Sequence, residues 1–476
     1  MKKPARIALV SAAILAALAG VLVLVLWAAP PELLRIGANY AAKIVCSNVF
    51  IAGRDAGEVL RDDVQAPGAS VLKFMRVSVV RDPVDRDPVE RDPVERDPGV
   101  VRAGLWGFIG GGLAVYRPGL GCAVAPGGRL SEVVSIAPAP APAAAPASTA
   151  PPERAAWPDG EAAQTDPALD RLIADDRLTG PATRAVLVVH RGALVAERYG
   201  PGFDARTPQL GWSMTKSVTA GLIGVLVNQG RLTLDRRGLW PAGGGREAIK
   251  LSDLMAMSSG LRWNEGYGVI SDVTRMLFLS PDMAAFARDR PLEHAPGTFW
   301  NYSSGSAVIL ARIAQDASGL SAARLARDLL FDPLGMTSAV MEADADGTLV
   351  GSSYMYATPR DWARYGQFLL QQGMWHGRQL LAPGFVSMMA APVPASRGQY
   401  GRGLVWLWGS DAAEPGRSPD AAFGIPADAF WLEGHDGQFI AVIASRELVV
   451  VRLGLTPSRL HYRPQPLVQA LLEALP

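Results

Sequence analysis

An uninterrupted apolar run from Ile7 to Ala29 follows the basic residues Lys2, Lys3 and Arg6 and ends in Trp27-Ala28-Ala29-Pro30-Pro31. About 20 apolar residues suffice to cross the core of a bilayer as a helix, which satisfies every backbone N–H and C=O within the segment. Three structures can take up such a run: a retained membrane anchor, a cleaved export signal, or the core helix of a soluble domain. A cleavable signal carries a shorter apolar stretch of about 7–15 residues with small residues before the cut. Pro30-Pro31 makes a cut after Ala29 unattractive, so an anchor is the expectation. The basic flank then stays in the cytoplasm and Trp27 sits at the far interface. The expected location is the inner membrane, with the bulk of the chain in the periplasm or another extracytoplasmic space.

The remaining chain divides by composition. Residues 1–31 form the anchor or signal, and 32–133 a small exported segment. The latter holds a five-residue repeat, Arg81-Asp82-Pro83-Val84-Asp85, with copies starting at Arg86, Arg91 and Arg96. Proline at every fifth position blocks a helix and the charges self-neutralise, so an extended solvated loop is expected there. Residues 134–156 are rich in alanine and proline, the composition of a semi-rigid linker and a domain boundary. Residues 157–476 read as one domain. Ala185–His190 and Ala193–Tyr199 are strand-like runs joined at Arg191-Gly192, and Phe439–Ser445 with Leu448–Leu453 form a second hairpin pattern. Helices are expected over Ser217–Asn228, Ala307–Ile313, Ala322–Leu330, Pro359–Gln372 and Pro466–Leu475. Strands at both ends with helices between them predict an α+β fold, an antiparallel sheet packed against helices with a helical insertion.

Composition narrows the function. With 46 basic and 45 acidic residues, the formal charge of +1 gives no electrostatic reason for a nucleic-acid partner. The two cysteines, Cys46 and Cys122, both fall in the exported segment. A Cys46–Cys122 disulfide, which persists outside the cytoplasm, is the expectation, with two unrelated buried thiols as the alternative. A thiol nucleophile and a cysteine-ligated zinc are excluded from the catalytic part. No His-Glu-x-x-His or comparable ligand cluster is present, and no Gly-x-Ser-x-Gly elbow, so neither a metal nor another cofactor is expected.

Chemistry concentrates at Ser213-Met214-Thr215-Lys216, where an apolar helix begins. Residues three apart share a helical face, so the lysine amine can reach the serine hydroxyl, and the helix N-terminus favours negative charge there. A hydroxyl becomes a good nucleophile only when a base takes its proton. Ser-x-x-Lys alone is weak, expected about once by chance in a chain of this length. The lysine count strengthens it. Only Lys216 and Lys250 occur from Trp157 onward, arginine serving elsewhere. Arginine cannot give up its proton in a protein, so a lysine retained beside a serine points to a proton acceptor. Tyr302, in Pro296-Gly297-Thr298-Phe299-Trp300-Asn301-Tyr302-Ser303-Ser304-Gly305, is either a packed loop residue or a proton relay. Glu433-Gly434-His435-Asp436-Gly437-Gln438 opens the last hairpin. Its glycines allow close approach of a substrate and its N–H groups can serve an oxyanion hole, while His435 taken alone is as well explained as a structural histidine.

In order and spacing, Ser213-x-x-Lys216, Tyr302 and the glycine-bearing strand at 434–437 resemble the serine β-lactamase and penicillin-recognising superfamily. Within it the match is closest to the class C-like esterases and the 6-aminohexanoate-dimer hydrolases. Leu251-Ser252-Asp253-Leu254-Met255, Pro333-Leu334-Gly335-Met336 and Tyr354-Met355-Tyr356-Ala357-Thr358-Pro359-Arg360-Asp361-Trp362 add to the likeness, which runs from Trp157 to the C-terminus. Cys46-Ser47 and Gly119-Leu120-Gly121-Cys122 resemble a leader region that precedes this domain in some membrane-bound bacterial relatives. The resemblance implies a β-lactamase-like fold, Ser213 as acylated nucleophile, Lys216 as general base and Tyr302 as proton shuttle. It implies the Ser213 N–H as one oxyanion donor and Tyr267, in Trp263-Asn264-Glu265-Gly266-Tyr267, as a substrate contact. Two registers remain for the second donor: Leu432-Glu433-Gly434 with His435, the preferred one, or His435-Asp436-Gly437 with Gln438.

The departures also inform. Tyr302-Ser303-Ser304 stands where the family has Tyr-x-Asn, and the Lys-Thr-Gly strand is missing together with its cation. Both losses favour a small neutral ester or amide as the substrate. A cell-wall peptide enzyme or weak β-lactamase is the alternative and would need an arginine to supply the missing charge. A non-catalytic binding protein on the same fold is the third reading. If the apolar run is an anchor, the protein fractionates with membranes. A mature N-terminus near Ala29, found by terminal sequencing, would identify a cleaved signal instead.

Overall fold

Two valine-rich runs more than two hundred positions apart, Thr183–His190 and Leu448–Gly454, pair antiparallel in the centre of the main sheet. Each alternates its side chains between the two faces, so each run serves two cores. This computed structural model describes residues 3–68, 70–80, 99–136, 155–410 and 418–476. The RDPV-type repeat (81–98) and the Ala/Pro stretch (137–154) lie outside the described residues. The sheet is wholly antiparallel and runs Ala429–Gly434, Gln438–Ile443, Leu448–Gly454, Thr183–His190, Ala193–Tyr199. Arg191 and Gly192 turn the last pair with φ of +50° and +77°, the left-handed geometry a two-residue hairpin loop requires.

Val186, Val188 and Val450 pack with Leu169, Ile173, Leu467 and Leu471, from the Pro167–Ile173 and Gln465–Ala474 helices. Leu187, Val189, Val449 and Val451 face the larger core, which holds the Met214–Asn228 and Pro359–Leu370 helices. Beyond it, Leu251–Met255, Asp272–Leu279, Met283–Arg288 and Ser304–Ser318 make up a helical subdomain. The α+β sheet flanked by helices with a helical insertion is therefore present. One expected helix differs: Ala322–Leu330 is α-helical only to Ala326, and Arg327–Phe331 widens into a π-turn before Pro333.

Lys3–Ala28 is a continuous helix whose apolar side chains from Leu9 onward are exposed, with Val23 and Leu26 partly packed against the body. It is not the buried helix of a soluble core. After Pro30-Pro31, Glu32–Phe50 forms a second helix lying on a four-stranded antiparallel sheet, Met75–Val80, Val100–Leu105, Ile109–Arg117 and Gly121–Val124. Gly112 lets the helix and sheet meet, since a Cβ there would fall 2.3 Å from Ala38 backbone atoms.

This 32–133 segment shares the larger core with the 157–476 part. Lys43 and Glu342, both fully buried, form an ion pair at 2.6 Å. Glu342 also accepts from Ser47 Oγ at 2.8 Å and from the Cys122 N–H at 2.6 Å, while Lys43 donates to the Cys122 carbonyl at 2.6 Å. Cys46 and Cys122 are joined by a disulfide across 76 positions, with their Cα atoms 6.1 Å apart. Arg117 donates to the carbonyls of Ala343 and Asp344, and Arg184 reaches Asp63 at 2.7 Å. Removing one member of a buried ion pair strands the other charge, at a cost of about 3–5 kcal/mol. Glu342→Gln is expected to lower the unfolding free energy, read from denaturant melts, by that much, and the double variant Lys43→Met/Glu342→Leu to regain most of it. Equal stability of Glu342→Gln and the natural chain would show that the pair does not hold the segment in place.

Candidate active site

The Met214–Asn228 helix starts at Ser213, just after Trp212 takes a left-handed turn at φ +48°. Non-glycine residues rarely adopt that conformation, at a cost of about 1–3 kcal/mol. Here the ring contacts of Trp212 with Tyr354 (5.9 Å) and His435 (5.7 Å) hold the turn. The helix is buried along nearly its whole length, so Lys216, one turn into it, is 1% exposed. Its Nζ donates to Ser213 Oγ, Ser304 Oγ and the Ser352 carbonyl, each at 3.0 Å. Burial lowers the lysine pKa to about 8, against the pull of Glu265, which favours the charged form.

Tyr302 closes the group, its ring centroid 4.7 Å from Lys216 Nζ. It stands just before the Ser304–Ser318 helix, which Ser303 caps by accepting from the Ser306 N–H. The ring stacks on Trp406 and meets Tyr400 edge-on. Burial and then Glu265 push the phenol's pKa far up, and the neighbouring Ser213 hydroxyl partly offsets this. The phenol is thus protonated throughout the working pH range.

Two residues that the sequence did not single out complete the network. Glu265 accepts from Ser304 Oγ at 2.5 Å, the Ser304 N–H at 2.9 Å, Trp263 Nε1 at 2.5 Å and Tyr267 Oη at 3.3 Å. Ser304 passes that contact to Lys216, so the position where the family has asparagine still touches the lysine. The one signal available was the acidic residue inside the same pentapeptide as Tyr267.

Gly434 ends the edge strand Ala429–Gly434 directly over the turn that leads to Ser213; a Cβ there would lie 2.2 Å from the Gly211 carbonyl oxygen. His435 follows, its ring 5.1 Å from Tyr267 and 5.7 Å from Trp212. The Gln438 amide, by contrast, is occupied with the backbone of Gly454. The edge strand carries no cation. Arg452, on the Leu448–Gly454 strand, is fully buried and spends its guanidinium on Thr179, Pro181, Thr183, Gly437 and Thr456. Among the described residues, no group of His, Cys, Asp and Glu is arranged to hold a metal ion. The structure therefore brings Ser213, Lys216 and Tyr302 together, with Gly434, His435 and Tyr267 along one side, while Cys46 and Cys122 belong to the 32–133 segment.

A family model described as Beta-lactamase matches residues 170–465. The structure is similar to "Putative 6-aminohexanoate-dimer hydrolase from Bacillus anthracis", with 21% identity, a TM-score of 0.54 and coverage of 66% of this chain and 88% of that one. It is also similar to the "putative beta-lactamase from Bacteroides dorei DSM 17855", at 20% identity and a TM-score of 0.51, over 64% of this chain and 98% of that one. At such identities both likenesses speak to the fold alone. No curated protein matches the chain. Because Gly434 lies against the Gly211 carbonyl, Gly434→Ala must push the strand end away from the Ser213 turn. A displacement near 1 Å can cost about a hundredfold in rate. Turnover of p-nitrophenyl acetate is expected to fall by tenfold to about a hundredfold on that basis, with circular dichroism unchanged. An unimpaired variant would show that the strand end does not position the site.

Proposed function

The chain belongs to the beta-lactamase family of serine hydrolases, and on that premise we propose that it cleaves a small neutral ester or amide through an acyl-enzyme on Ser213. Lys216 takes the Ser213 proton, Ser213 Oγ attacks the substrate carbonyl, and the oxyanion is held by the N–H groups of Ser213 and His435. Tyr302 carries the proton on to the leaving group as the carbon–heteroatom bond breaks. Water then releases the acyl group by the same steps in reverse. Glu265 and Ser304 are positioning residues that orient the amine, and Tyr267 contacts the substrate. The enzyme is held at the membrane by the Lys3–Ala28 helix, with the hydrolase part on the extracytoplasmic side.

The observation that carries this reading is the Lys216 amine, buried with its pKa lowered to about 8 and 3.0 Å from Ser213 Oγ. An exposed lysine, with a reference pKa of about 10.4, would stay charged and accept nothing. No cation is offered on the edge strand to hold a substrate carboxylate, which supports a neutral substrate over a β-lactam or a cell-wall peptide.

Ser213→Ala and Lys216→Ala should each nearly abolish turnover of a p-nitrophenyl ester, the double variant being little worse because the two act as a unit. Lys216→Arg should fail as badly as alanine, since a guanidinium keeps its proton. Tyr302→Phe should lose about 10²–10⁴-fold. Lowering the lysine pKa makes the amine neutral at a lower pH, so kcat/KM should rise with pH through a limb near 8. A fluorophosphonate adduct on any residue other than Ser213, or an active Lys216→Arg variant, would overturn the mechanism.

A further inference from the structure

Beside the Ser213 turn, a cavity of about 360 Å³ opens between the exported segment and the hydrolase part. Its apolar wall comes from both sides: Leu33, Ile36 and Leu72 from the first, Val269 and Phe278 from the second. Trp212, Tyr267 and His435 line it too, so it borders the proposed active site. Polar groups gather at one end, where Asp436, Ser458 and Arg459 face it. A cavity of that size falls within the roughly 300–1,000 Å³ of ligand pockets. A small polar substrate has no use for so much apolar surface.

Its position relative to the anchor is equally specific. Leu33 follows the end of the Lys3–Ala28 helix by five positions, across Pro30-Pro31. A residue spans at most about 3.6 Å when extended, so the four steps from Ala28 to Glu32 hold the two helices within about 14 Å. Glu32, at the start of the second helix, is bound to Arg275 at 2.5 Å, which fixes that end on the hydrolase part. Exposed apolar side chains sit at and next to the lining: Leu33, Val269, Ile270 and Leu460 are each 41–53% exposed. Apolar groups left in the open around a cavity mouth mark a surface that meets another apolar phase.

Resting on the acyl-enzyme reading above but enlarging its small substrate, we propose that the neutral ester or amide cleaved is an amphiphile bearing a long acyl chain, drawn from the bilayer, whose chain occupies this cavity. The orientation follows from where the proton donor stands. Tyr302, with Tyr400 and Trp406, does not line the cavity, so the leaving group departs on the Tyr302 side. The acyl part then extends past Trp212 and His435, on the side of the oxyanion donors, into the apolar space.

The test uses the full chain in dioleoylphosphatidylcholine vesicles with p-nitrophenyl esters from acetate to laurate. Transfer of a methylene from water gives about a fourfold gain, so kcat/KM should climb by up to about that factor per added methylene until the cavity is full. Val71→Trp, which fills the cavity from the exported segment, should lower the laurate-to-acetate ratio of kcat/KM at least tenfold. Ester partitioning into the vesicles is common to both proteins and cancels in that comparison. A flat or falling profile in the natural chain, with acetate still cleaved at Ser213, would overturn the acyl cavity and leave the catalytic reading standing. That profile decides the matter even if the tryptophan variant fails to fold. Loss of all ester turnover together with loss of fluorophosphonate labelling would instead remove the catalytic reading, and this proposal with it.

Discussion

A lysine amine kept out of water, with no carboxylate touching it, is the arrangement on which the site depends. Lys216 finds two hydroxyls and one carbonyl as hydrogen-bond partners, enough to satisfy its donors without fixing its charge. That requires a helix packed on all sides. Gly221 and Gly224 provide for it by leaving no Cβ where the Tyr365 hydroxyl and the Phe385 ring approach, 2.7 Å from where one would sit. Desolvation favours the neutral amine, and Glu265, reached through Ser304, restrains how far that goes.

A second buried lysine shows what the first would be with a different neighbour. Lys43 is as deeply buried, and burial lowers its pKa to about 8 as well. Yet Glu342 contacts it directly at 2.6 Å, and that pairing makes it a structural bolt. The two lysines meet the same stretch of chain. Lys216 donates to the Ser352 carbonyl, while Lys43 lies 4.3 Å from the Tyr354 ring, which in turn contacts Trp212. The 32–133 segment thus buttresses the strained turn that presents Ser213.

The residues legible in the sequence were those whose chemistry is encoded at short range. Ser213 and Lys216 are one helical turn apart, and the hairpins announce themselves by alternation and by Arg191-Gly192. Glu265 and Ser304 were not legible because their role exists only where two loops touch. The Glu32–Phe50 helix was missed for a different reason. Asn39, Lys43 and Ser47 recur every fourth residue, a stripe that pattern reading assigns to solvent. In the structure that stripe is buried, facing Phe278 and Glu342. The Ala/Pro stretch suggested separate units, whereas the parts on either side share one core. Composition marks where a chain lacks packing residues and says nothing about which pieces pack together.

The repeat between Val80 and Val100 has a genetic consequence. Those two valines are paired across the hairpin, at the opposite end of the strand from Met75. Val80 lies on the edge strand of the small sheet and Val100 on the strand beside it, at the side remote from Gly121–Val124, the strand that carries Cys122. However many five-residue copies the gene carries, both ends of the connection return to the same register. On the loop-closure estimate, doubling such a connection costs only about 0.6 kcal/mol. Slippage during DNA replication can add or delete whole copies here without shifting a residue of the hydrolase part. Copy number in this stretch is therefore decoupled from the geometry of the catalytic site.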